Sequence, residues 1–206
     1  MLAGGVAGMK ITVVQEGFGL ASSEADVDAA NRKAAEIFAK MGATVDEVSI
    51  PWYALGPAIW VPIGVEGLTQ TMMWGDGYGV SRQDLYVTSL MDFHHRLRER
   101  ADEMSETTKL MTVLGTHMRN TYGGRYYGKA MNLSRQLKAA YDAVLADYDL
   151  LLMPTVPMKA TPLPGPGASR AEYVQRALEM IVNTCPFDIT RRWRCPAVCA
   201  TACRSR

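Results

Sequence analysis

The first fifty residues constrain the fold more than any other part of the chain, because they read as strand, helix, strand. Met9-Lys-Ile-Thr-Val-Val14 is a short β-branched run bounded by Gly8, Gly17 and Gly19, the pattern of a buried strand. Ser23-Glu-Ala-Asp26 has the form of a capping box. Ala30, Ala34, Ile37, Phe38 and Met41 then recur at helical spacing until Gly42 offers a C-cap. Residues 43–50 carry Val45, Val48 and Ile50 and stop at Pro51, a second strand. Two strands joined through a helix by short connections lie parallel, with a right-handed crossover. The fold class expected is therefore α/β, a parallel or mixed sheet flanked by helices.

The rest is mostly helical. Residues 58–74 are apolar nearly throughout and read as a buried helix despite Pro62. Gly75-Asp-Gly-Tyr-Gly79 is a loop. Residues 84–105 carry Leu85, Leu90, Phe93, Leu97, Ala101 and Met104 at helical spacings, residues 105–118 form a short helix, and residues 126–147 form the best helix of the chain. Tyr148-Asp-Leu-Leu-Leu-Met153 is an apolar run closed by Pro154, which predicts a buried central strand. Four prolines make residues 155–169 an extended loop, residues 171–183 are a last helix, and residues 185–190 leave it as loop or strand.

Composition narrows the function classes. With 206 residues, 48% apolar and 21% charged, the chain can bury a core without metal or disulfide. A net charge of +1 removes any whole-chain case for nucleic-acid binding. The longest uncharged stretch, residues 50–65, holds three prolines and is too short for a membrane span, and residues 1–8 lack the basic start of a signal peptide. A cytoplasmic chain is expected.

No catalytic constellation is visible. His94 and His95 are adjacent, so their rings point about 100° apart on a helix, and no second pair has ligand spacing; surface or packing roles are expected for them and for His117. Asp76, Asp92 and Asp102 have no visible partners. Cys195, Cys199 and Cys203 are spaced by four, but Pro196 lies inside the run and a zinc site wants a fourth ligand, so no metal is expected. Cys185 reads as a small buried hydrophobe and the methionines as core filler. The glycines at 75, 77 and 79 follow no strand and precede no Lys-Ser/Thr, so a phosphate role is not supported. No cofactor is expected.

Several segments in order resemble one family. Gly8-Met-Lys-Ile-Thr-Val-Val-Gln-Glu-Gly-Phe18, the helix ending Met41-Gly-Ala-Thr-Val45, Gly123-Gly-Arg-Tyr-Tyr127, Asn132-Leu-Ser-Arg-Gln136, Tyr148-Asp-Leu-Leu-Leu-Met-Pro-Thr-Val-Pro157 and Asn183-Thr-Cys-Pro-Phe-Asp-Ile-Thr190 are similar to the second half of amidase-signature enzymes, closest to bacterial amidases of simple carboxamides. The resemblance implies a partial amidase-signature fold, with residues 1–190 as its C-terminal part. It implies hydrolysis of a carboxylic amide through a serine, a cis-peptide serine and a lysine, with a Gly-Gly-Ser-Ser motif supplying oxyanion donors. Those motifs lie upstream of the part this chain resembles. No Gly-Gly-Ser-Ser occurs here and no lysine has the matching context, so no catalytic residue is carried over and the chain alone is expected to be inactive. The resembling half helps wall the acyl pocket in the family. Trp60, in Ala58-Ile-Trp-Val-Pro62, is either such a wall or simple core packing. Leu110 and Met111 stand where the A subunits of amidotransferases tend to carry a basic pair, which implies a small neutral carboxamide as ligand.

Residues 191–206 break the pattern. They hold five arginines, no acid and three of the four cysteines; without them the formal charge falls from +1 to about −4. With suitable GC-rich codons, reading this tail two bases later gives Ala-Leu-Ala-Val-Pro-Cys-Gly-Val-Arg-Asp-Gly-Leu-Pro-Val, the continuation the family would have. An out-of-frame tail on a truncated chain is the expectation, loosely attached, with a bare sheet edge that exposes the chain to self-association.

Overall fold

The computed structural model describes residues 5–79, 83, 85–165 and 167–190. The expectations for residues 191–206, their cysteines included, lie outside the described residues.

Among the described residues, three parallel strands form the sheet, in the order β2-β1-β3. β1 (Lys10–Val14) pairs with β2 (Thr44–Val48), Ile11 opposite Val45, and with β3 (Leu150–Leu152), Thr12 opposite Leu151. Ile11, Thr12, Val13 and Val14 are consecutive and all buried, so β1 is covered on both faces. The Thr12 hydroxyl is satisfied by donating to the Asp46 carbonyl at 3.2 Å. The last apolar strand is thus buried as expected, but it is not central: among the described residues β1 holds the middle and β3 an edge.

Between β1 and β2 runs α1 (Ala25–Lys40), and Gly42, at φ +94°, turns the chain out of it. The capping box does not form. Ser23 Oγ accepts from Leu20 N–H at 3.0 Å, and Glu24, which occupies the N-cap, sends its carboxylate to Lys159, 2.9 Å from Nζ. Asp26 also meets that ammonium at 2.6 Å. A partner more than a hundred residues away outcompetes the local cap.

The expected helix over residues 58–74 is α2 (Gly56–Gly67) followed by a π-helical segment, Leu68–Met73. Trp74 N–H donates to the Thr69 carbonyl, the wide i→i+5 step, and Thr69 Oγ1 donates to the Met111 carbonyl at 3.3 Å. Residues 84–105 are not one helix. α3 (Thr88–His95) gives way to 3₁₀ turns over Arg96–Glu103, where Arg100 leaves helical geometry and pairs with Glu103. Neither segment buries a residue, so no packed face enforces a continuous helix.

α4 (Glu106–Tyr122) runs further than expected. Ser105 Oγ caps it by accepting from Thr108 N–H, and Gly123 and Gly124, at φ +63° and +82°, turn the chain into α5 (Arg125–Val144). α5 buries the stripe Ala130, Ser134, Leu137 and Tyr141. After β3 and its proline-rich loop come α6 (Arg170–Glu179) and a single turn, α7 (Cys185–Asp188). The loop or strand expected over residues 185–190 is instead this turn, because Pro186 at its start presets helical geometry.

Candidate functional site

α2 is the element around which the site residues gather. It packs against α4, α5 and α7, and two glycines set how closely. A Cβ at Gly56 would fall on the Pro186 ring, 2.5 Å from its Cβ, and a Cβ at Gly115 of α4 would fall against Thr69 Oγ1 and 2.6 Å from the Val65 carbonyl of α2. Ile59 and Val65 of α2 are both buried.

Trp60 lies in the second turn of α2, partly buried and packed against the core. Its indole rests over Gly64, where a Cβ would come within 3.0 Å of the ring. The ring is therefore held against its own helix and retains a solvent-accessible part. Leu110 and Met111 are both on α4. Leu110 is exposed, and Met111 offers its carbonyl to Thr69, so the two residues sit beside the π segment that continues α2.

Glu66 escapes sequence reasoning. It is buried, and its Oε1 has no hydrogen-bond partner among the described residues. A Cβ at Gly124 would lie 2.7 Å from Arg119 Nη1 and 3.8 Å from Glu66 Oε2, so this left-handed glycine keeps open the space between guanidinium and carboxylate. The available signal is a single acid ending a long uncharged run.

Asn183 likewise escapes it as an organising residue. Its side chain is buried and fully used: Nδ2 donates to the carbonyls of Gly17 (3.0 Å) and Pro154 (2.7 Å), and Oδ1 accepts from Tyr53 Oη at 2.8 Å. Phe187 stands edge-on to Tyr53 and stacks on Tyr141, centroids 6.1 and 5.0 Å apart. Burial pushes both phenols above their usual range. Cys185 is buried beside them, as expected of a small hydrophobe; burial, then the Asp188 charge, pushes its thiol up to about 12, the reverse of an activated nucleophile.

Asp76 does have partners, contrary to the sequence expectation. His95 Nδ1 lies 2.8 Å from Oδ2, His94 Nδ1 3.8 Å from Oδ1, and Arg98 Nη2 3.0 Å from Oδ1. The adjacent imidazoles diverge along the helix yet meet one carboxylate, because its two oxygens present separate acceptors. Among the described residues, no group of three or more His, Cys, Asp and Glu side chains is arranged to hold a metal.

The fold, a parallel sheet covered by helices, is shared with solved structures. The chain matches over 92% of its length the crystal structure of a bacterial aryl acylamidase of the amidase signature family, with TM-score 0.59, 18% identity and 36% of that chain covered. Residues 4–196 match the family model described as Amidase. The chain is 39% identical over 197 residues to an enantioselective amidase of Rhodococcus rhodochrous, covering 95% of this chain and 38% of that protein. It is 33% identical over 161 residues to the A subunit of the glutamyl-tRNA(Gln) amidotransferase of Ligilactobacillus salivarius, covering 76% of this chain and 32% of that one. The chain belongs to the amidase family. It spans between about a third and two fifths of the length of these two relatives.

Proposed function

We propose that this chain supplies the acyl-pocket side of an amide hydrolase that converts a small neutral carboxamide and water into a carboxylate and ammonia. The observation that carries this reading is the family match over residues 4–196, together with a partly buried indole at Trp60 on the central helix. Trp60 forms an apolar wall for the acyl group. The uncharged pair Leu110 and Met111 supports a neutral ligand, since a charged acyl group would want a basic partner there. The serine–cis-serine–lysine machinery that the family resemblance implies belongs to sequence this chain does not contain. Residues 1–190 act as the C-terminal part of that domain, in the cytoplasm. Among the described residues no helix is long and apolar enough to cross a membrane.

The test is ammonia release from propionamide and benzamide by the purified chain. No turnover is expected, and turnover abolished by a serine substitution would overturn the assignment of catalysis to absent sequence. The Trp60 wall is tested separately: either amide is expected to perturb indole fluorescence saturably, with the response lost in Trp60→Phe. A response unchanged by that substitution removes Trp60 from the pocket.

A second reading, a non-enzymatic self-association module, is favoured by one observation. Leu85, Leu90 and Phe93, in and just before α3, are exposed among the described residues. A concentration-independent monomer in sedimentation would exclude it.

A further inference from the structure

α3 and the turns that follow it bury no residue, and Leu90 and Phe93 each remain 59% exposed. Hydrophobic burial therefore does not fasten this segment to the body. Lys109 Nζ of α4 donates to the Asp102 carbonyl (2.9 Å), and a cluster of polar contacts reaches the loop after α2. Arg98 donates from Nε to the Met73 carbonyl (3.2 Å) and from Nη2 to the Trp74 carbonyl (3.1 Å) and Asp76 Oδ1 (3.0 Å). His95 Nδ1 contacts Asp76 Oδ2, and His94 Nδ1, buried and without a hydrogen bond, faces Oδ1 from 3.8 Å. Asp76 takes φ +51°, the sole non-glycine at positive φ among the described residues, so its carboxylate is held in place against a backbone cost.

We propose that His94, His95 and Asp76 form a protonation-dependent clasp that fastens α3 to the loop after α2. Imidazole is the side chain whose charge changes between pH 5 and 8. Both rings lie in the last turn of α3, where the helix dipole favours a cation. Among the described residues the charged groups against the carboxylate are His94 and His95 from α3 and Arg98 from the turns after it, and neither ring pairs with a second carboxylate. Arg98 supplies the part that pH leaves unchanged. The hydrogen bond from His95, then the Arg98 charge, holds the Asp76 carboxyl below its ordinary value. That contribution is present above the ordinary carboxylate value and lost only as pH falls through the lowered one, so Asp76 keeps its charge across pH 5 to 8.

Hydrogen exchange of the full chain, corrected for intrinsic rates, tests the clasp. Amides of residues 88–95 are expected to be about three- to fivefold better protected at pH 5.5 than at pH 8.0, the scale of exposed ion pairs. Amides of β1 serve as the reference and should not change. Asp76→Asn tolerates positive φ and is expected to remove the pH dependence; His95→Gln should reduce it. Equal protection at both pH values, a parallel change in β1, or pH dependence that survives Asp76→Asn each overturns the proposal.

Discussion

Asn183→Ala is expected to cost about 3–5 kcal/mol of folding stability, enough to lower the thermal midpoint of a chain this size by roughly 10 °C. The reason lies in what the substitution leaves behind. Three hydrogen bonds vanish, but their partners stay buried: the carbonyls of Gly17 and Pro154 lose the same amide donor, and the Tyr53 hydroxyl loses its best acceptor. An orphaned buried polar group costs about 1–3 kcal/mol, more than the net worth of the bond it made. The effect should not be local. Gly17 closes the turn after β1, Pro154 follows β3, and Tyr53 sits in the 3₁₀ turn Pro51–Leu55 before α2, so one amide ties three segments together. Tyr53→Phe removes one of the three bonds and keeps the ring edge-on to Phe187; a loss of about 1–1.5 kcal/mol is expected. Asn183→Asp keeps an acceptor for Tyr53 yet removes both donations and adds a buried charge, so it should be no better than alanine at neutral pH. Chemical denaturation of the three variants decides the matter. A small effect for Asn183→Ala, comparable to Tyr53→Phe, would mean the two carbonyls find other donors.

Asn183 also marks where reading the sequence stops. β1, α1, β2 and α5 are legible because their signals are local and periodic: a β-branched run between glycines, apolar spacing closed by Gly42, a buried stripe from Ala130 to Tyr141. The Ser23 capping box meets every local criterion and fails, because Lys159 draws Glu24 and Asp26 away from it. α3 fails in the opposite sense. Its apolar spacing predicts a buried face, but neither α3 nor the segment after it buries a residue, and α3 ends at His95. The site divides the same way. The place of Trp60 in an apolar helix is readable; the burial of Glu66 is not, since an acid ending an uncharged run does not by itself point inward. That Asn183 is an organising residue depends on Gly17, Tyr53 and Pro154, up to 166 residues distant, and composition carries no trace of that convergence. The cluster on Asp76 is hidden because helical spacing separates adjacent rings, and it takes a loop at positive φ to bring one carboxylate to both.

These features share a design in which α2 is fixed by close approach, while α3 and the turns after it bury no residue and are tied to the loop after α2 by polar contacts. At one end of α2, Gly56 lies against Pro186; further along, Gly115 admits α4 to the backbone of Val65. Trp60 lies between these two contacts in sequence, so the position of its ring depends on both holding.

The same glycine-to-alanine change is accordingly expected to have opposite signs in two neighbouring helices. Gly128, inside α5, has open space where a Cβ would go, so Gly128→Ala should stabilise the chain by about 0.5–1 kcal/mol through helix propensity alone. Gly115→Ala gains the same propensity but places its methyl against Thr69 Oγ1 and 2.6 Å from the Val65 carbonyl. The hydroxyl can rotate; the carbonyl belongs to the α2 backbone and cannot move without separating two helices. Overpacking of this kind costs about 1–3 kcal/mol or more, so a net loss of about 1–2 kcal/mol is expected for alanine and a larger one for Gly115→Val. Adding Thr69→Ala to Gly115→Ala removes the collision with Oγ1 but leaves those with the Val65 carbonyl and the Cβ of residue 69, and it also removes the hydrogen bond to Met111, so rescue should be partial at best. If α2 is displaced, the environment of Trp60 must change with it. Gly115→Ala should therefore shift the Trp60 contribution to the near-ultraviolet circular dichroism, isolated by difference against Trp60→Phe, while Gly128→Ala leaves it untouched. Equal stabilisation by both alanines, with no change at Trp60, would show that α2 and α4 lie further apart than Gly115 implies.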